Sequence, residues 1–317
     1  MDRRSFLGLG LASLSALAGV RAAPSSRAPL AFATADTESH VAVVSLDSGR
    51  IRARVHTVAD PRSIESGPGG HVVVGHPAVG AVSLMTARPA RVRRVLRGLG
   101  APRYTAIAPD GTHAYVTDGE RGEVIVVDLR RARIVGGVEV GAGARHVTLD
   151  PAGRRLWTAL GSSASAIAVV DVSQPTRPRL VRRVRPPFLA HDVAFSPSGR
   201  RVWVTAGRER RLVVLGAGGG HGIQLDADDA PQHVSFAHGL AFVASGDGAS
   251  MRVHGLADGR VRHTARMPYG SYNVAAGAGA IVTPSLASGR LTILDRSGRD
   301  AREVKVAPAA HDACIVA

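Results

Sequence analysis

The stretch PRYTAIAPDGTHAYVTDGERGEVIVVDLRRARIVGGVEV, residues 102–140, reads as four strands in succession. A first apolar-alternating run ends at the turn Pro109-Asp110-Gly111, a composition that favours tight reversal. HAYVT (113–117) follows, then the polar loop DGERG (118–122), then EVIVVDL (123–129) and RIVGGVEV (133–140). Alternation and β-branched enrichment mark all four as strands, and no helical period competes with them.

The same unit recurs along the chain. Its first strand and turn reappear as PRSIESGPGG from Pro61, ARHVTLDPAG from Ala144, AHDVAFSPSG from Ala190, PQHVSFAHG from Pro231 and SYNVAAGAG from Ser271, with a last copy, AHDACIVA, from Ala310. The second residues of the seven copies are Arg62, Arg103, Arg145, His191, Gln232, Tyr272 and His311, spaced 39 to 46 residues apart. Four strands in such a period are the signature of a β-propeller blade. The last copy supplies one strand only, whereas Leu30–Val58 supplies three with no first strand before them. Residues 311–317 are therefore expected to pair with the strand beginning near Leu30. The expectation is an all-β, seven-bladed propeller of four-stranded blades over residues 29–317, its ring closed by the C-terminal strand completing the first blade.

Composition agrees. Hydrophobic residues make up 45% of the chain and aromatics only 4%, so small β-branched side chains fill the core, and 37 glycines serve many turns. The formal net charge is +15, with Lys305 the only lysine. No block of like charge and no interleaved aromatics accompany the arginines, which argues against nucleic acid as a partner. The fourth strands carry Arg91, Arg93, Arg94, Arg182 and Arg183, read as charges that protect an exposed outer edge. The single cysteine, Cys314, excludes an intrachain disulfide and reads as a buried structural thiol. Tyr269 and Trp157 read as packing residues.

Residues 1–22 read as an export signal, with 23–28 a short linker. Arg3-Arg4 precede a short apolar stretch, and small residues flank a cleavage point after Ala22. Arg3-Arg4-Ser5-Phe6-Leu7 resembles the twin-arginine export signal, with Asp2 in place of the leading hydroxyl residue and Gly8 in place of the trailing lysine. An exported protein, periplasmic or extracellular and without a stable membrane anchor, is the expectation.

Residues 113–161, with Tyr115-Val116-Thr117, the Pro-x-Gly turn and the VVD third strand, resemble the YVTN-repeat family of bacterial propellers; Asp118 stands where that family has Asn. The resemblance covers about residues 29–317 and implies a seven-bladed propeller of the YncE-like periplasmic kind. Similar propellers occur in lactonases, haem-containing nitrite reductases and nitrous oxide reductase, so the fold says little about chemistry.

The repeat itself picks out a site. The seven second residues ring one mouth of the channel, and the next residues in register are Ser63, Tyr104, His146, Asp192, His233, Asn273 and Asp312. The candidate ligand-binding set is Arg62, Arg103, Tyr104, Arg145, His146, His191, Asp192, His233, Tyr272, His311 and Asp312, with His76 and Asp118 expected to approach from a second layer. Three arginines on consecutive blades suit a carboxylate or phosphate. The favoured reading is a non-catalytic, monomeric binding or scaffold protein for an anionic small molecule, peptide or partner protein, without catalytic residues or a cofactor. The bland alternative is that these side chains bond carbonyls of neighbouring blades and tie the ring together. A metal or haem carrier is a further alternative, although no HxH or HxxxH spacing supports the histidines. A lactonase-like hydrolase using Asp192 or Asp312 is another, but His191 and Asp192 are strand neighbours pointing opposite ways and form no dyad.

Overall fold

The computed structural model describes residues 28–220 and 222–317. The expected leader and all but the last residue of the linker lie outside them. The described residues form seven four-stranded antiparallel sheets, each one blade. The innermost strands of blades 1 to 7 are Ala310–Val316, Ser63–Gly67, Pro102–Ile107, Ala144–Leu149, Ala190–Phe195, Val234–Ala237 and Ala275–Gly277.

Blade 1 closes the ring in the expected way. Its inner strand pairs antiparallel with Leu30–Ala35, in the register Leu30↔Val316 and Phe32↔Cys314. The Asp36 N–H donates to the Ala309 carbonyl at 3.1 Å, and the Asp312 N–H donates to Thr34 Oγ1 at 3.0 Å.

The middle strands are buried on both faces because each blade is packed between two others. His113–Asp118 and Glu123–Asp128 are buried beyond their first residue. Their alternation sends Tyr115 toward blade 4, with Leu156 and Val170, and Val116 toward blade 2, with Val73 and Leu84. Every blade junction carries its own apolar cluster in this way, so the core is a ring of seven interfaces rather than one centre. Trp157 is fully buried at the junction of blades 4 and 5, edge-on to Phe195 at 6.0 Å, as its reading as a packing residue requires. Cys314 is buried between blades 1 and 2, where burial pushes its thiol well above the usual range. Tyr269 corrects the sequence reading: it is 59% exposed and packs into no cluster.

The outer strands are half open to solvent, with burial alternating along Ile51–His56, Ala90–Arg97 and Arg179–Val184. Pairing to the outer strand slips by a bulge in blades 1, 2, 3, 4 and 6, which twists the edge out of reach of another chain. Blade 5 departs from the arginine-rich expectation, because its outer strand, Ile223–Asp226, is IQLD. Elsewhere the arginines also bridge blades. Arg93 of blade 2 donates to the Leu129 carbonyl of blade 3 at 2.9 Å, Arg183 of blade 4 to Val140 of blade 3 at 2.9 Å, and Arg302 of blade 7 to Asp47 of blade 1 at 2.8 Å.

Candidate functional site

The inner strands of all seven blades enclose a polar channel with a cavity of about 400 Å³. Ser63, Tyr104, His146, Asp192, His233, Asn273 and Asp312 all line it, so the register read from the repeat places one residue of each blade on this collar. In blades 6 and 7 the collar residue precedes the strand, because Val234–Ala237 and Ala275–Gly277 are short.

The collar divides into two kinds of residue. Asp192 and Asp312 are consumed by the backbone. Asp192 accepts the N–H of Val193 at 2.8 Å and that of Val234, on blade 6, at 3.1 Å. Asp312 accepts the N–H of Ala313 at 2.8 Å and that of Ile64, on blade 2, at 2.9 Å. Burial raises both carboxyls, Asp192 to about 7. Each fastens its blade to the next, a structural role that both carboxyl oxygens already serve.

Tyr104, His146 and His233 instead form an aromatic plug across the channel, and His191 of the outer ring joins them. Ring centroids stand 4.2 Å apart for Tyr104 and His146, 4.8 Å for His146 and His233, and 4.5 Å for His146 and His191. Burial is the main cause that lowers all three histidines below the usual value, His191 to about 4, and nearby arginines add to it; they stand as neutral imidazoles. His191 Nδ1 donates to the Ser162 carbonyl at 3.0 Å, because a carbonyl can only accept, and its Nε2 is left with a free lone pair. The ring lies directly over Gly207, where a Cβ would come within 2.9 Å of the His191 Cβ. Asp192 points away from this ring, so His191 and Asp192 form no dyad.

Above the collar, Arg103 and Arg145 converge on Tyr104. Arg103 and Arg145 lie over its ring at 5.9 and 5.8 Å. Arg62 is ion-paired to Asp36 at 2.7 Å, but among the described residues Arg103 and Arg145 have no carboxylate partner. The Arg145 Nε is buried without a partner, and burial first, then Arg103 and Arg62, lower the Arg145 pKa. Of the remaining ring residues His311 meets the bland expectation, Tyr272 bonds a carboxylate instead of a carbonyl, and the buried Gln232 Oε1 has no partner. His311 Nδ1 donates to the Arg62 carbonyl at 2.7 Å, and the Tyr272 hydroxyl donates to Asp247 at 2.9 Å.

The second-layer expectation is corrected. His76 is fully buried, and its ring bonds the Ala59 carbonyl and Ser83 Oγ. Asp118, equally buried, accepts the N–H groups of Gly100 and Ala101 at 2.7 and 2.9 Å. Both hold the preceding loop and present nothing to the mouth. Sequence reasoning also passed over Glu65, which faces the channel beneath the collar and is pushed up to about 7 by burial. Its polar place on an inner strand was the available signal.

Fold and site together define a seven-bladed β-propeller with a polar, histidine-plugged channel. Solved structures of similar architecture include a functionally unknown protein from Desulfotomaculum acetoxidans, at TM-score 0.79 and 13% identity over 90% of this chain and 98% of that one. Hydrazine synthase of Kuenenia stuttgartiensis is similar at TM-score 0.73 and 16% identity, covering 84% and 92%. Apo AztD from Citrobacter koseri is similar at TM-score 0.70 and 10% identity, covering 91% and 97%. At these identities the likeness is one of fold. No family model and no curated protein matches the chain.

Proposed function

We propose that this protein is a non-catalytic binding propeller of the YVTN-repeat, YncE-like type that recognises an anionic group at the channel mouth. The observation that carries this reading is the pair Arg103 and Arg145, two guanidinium groups set over Tyr104 that, among the described residues, have no carboxylate within ion-pair distance. A carboxylate or phosphate on a small molecule, peptide or partner protein supplies the missing acceptor. Hydrolysis fits less well, because Asp192 and Asp312 already hold two backbone N–H groups each. The twin-arginine-like leader at Arg3-Arg4 supports action outside the cytoplasm.

The test is calorimetric titration and thermal melting with citrate, succinate and inorganic phosphate. At least one of these anions is expected to bind and raise the melting temperature. The response should fall in Arg103→Gln and Arg145→Gln and vanish in the double variant. A response unchanged in the double variant, or none in the wild type, overturns the reading.

A further inference from the structure

We propose that His146, His191 and His233 form a site for one divalent transition-metal ion of the borderline class that imidazole suits, such as Zn²⁺ or Co²⁺. Ligand atoms of the three side chains lie within 4.8 Å of one another. They come from blades 4, 5 and 6, two on inner strands and His233 just before one, so three separate blades deliver one nitrogen each.

A second observation points to a ligand. His146 is 1% exposed, and neither of its ring nitrogens has a hydrogen-bond partner. Leaving a buried polar atom unpaired costs about 1–3 kcal/mol. Histidines such as His76, in the same protein, are instead fully bonded. A metal ion takes the lone pair that no protein donor reaches.

The surroundings match the outer partners of metal-bound imidazoles. The Ser162 carbonyl fixes His191 with Nε2 free, and the Asp192 carboxylate lies 3.7 Å from Nδ1 of His233. Zn–N bonds of about 2.0–2.1 Å set ligand nitrogens of one ion about 3.4 Å apart, a closure within reach of imidazole rotation. Three protein nitrogens leave one position of a tetrahedral ion open toward the channel.

The site rests on the histidines and not on the arginine reading, and its test is separate. Untagged full-length chain, stripped with chelator, is titrated with Zn²⁺ by calorimetry and with Co²⁺ by visible absorption. One equivalent of each is expected, with Co²⁺ giving the intense visible bands of four-coordinate geometry. His146→Ala and His191→Ala are each expected to weaken binding by about 100-fold or more, beyond the range seen for loss of an outer partner. His191 is only half-buried, so its variant keeps the test open if His146→Ala unfolds. His56→Ala, on an exposed outer-strand position, should bind as the wild type does. Absence of saturable binding, or equal binding in wild type and the two triad variants, overturns the proposal.

Discussion

Asp192 and Asp312 hold the same register position on blades 5 and 1 and make the same two bonds, one to the N–H that follows in sequence and one to the inner strand of the next blade. Replacing Asp312 with alanine strands the N–H groups of Ala313 and Ile64, at about 1–3 kcal/mol each. Asp312→Ala is therefore expected to lose roughly 2–6 kcal/mol in urea unfolding. Asp312→Asn keeps one amide oxygen as acceptor and should lose less. Equal stability of Asp312→Ala and wild type would remove the blade-fastening role.

Glu65 makes stability pH-dependent in a definite direction. Burial raises its carboxyl from 4.5 to about 7 in the folded chain. Asp312 and Cys314, on the adjoining strand of blade 1, face it and are themselves raised. Between those values the folded state holds a proton that the unfolded state has lost, so the Glu65 contribution falls as pH rises toward and through 7. Glu65→Gln has no such loss. Relative to wild type, the variant should gain stability between pH 5 and pH 8, by at most about 3 kcal/mol at about 1.4 kcal/mol per pKa unit. Unfolding curves at the two pH values measure this, and a constant difference would contradict it.

Closure by the last strand is open to deletion. Removing residues 310–317 strips Leu30–Ala35 of its inner partner and opens the clusters that Cys314 and Ala313 share with blades 2 and 7. The truncated chain is expected to lose its single cooperative melt and to be cut by protease within blade 1. A melting temperature equal to that of the full chain would refute the clasp.

Junction packing and edge arginines should differ in weight. Trp157→Ala empties a fully buried site between blades 4 and 5 and should cost about 3–5 kcal/mol. Arg93→Ala loses its bond to the Leu129 carbonyl and should cost about 0.5–1.5 kcal/mol. Arg91→Ala, exposed on the same strand, should stay within about 0.5 kcal/mol of wild type. Denaturant titration of the three variants ranks them, and a large loss in Arg91→Ala would show that the edge carries more than charge.

The period of the sequence determined the blades, the closing strand and the seven collar positions, because a repeat near forty residues places equivalent backbone atoms at equivalent points of a ring. It could not determine which collar side chains are free. Asp192 and His146 are equivalent in register, yet one finds two N–H groups and the other finds none, since that depends on the spacing of particular neighbouring blades. His191 belongs to the outer ring by register, but the bare backbone of Gly207 and the Ser162 carbonyl turn its ring onto His146. His76 and Asp118 looked equally available in sequence, and only the fold showed their polar atoms already bonded. Register is a property of the repeat unit, whereas hydrogen-bond partnership is decided across blade junctions that no single unit contains.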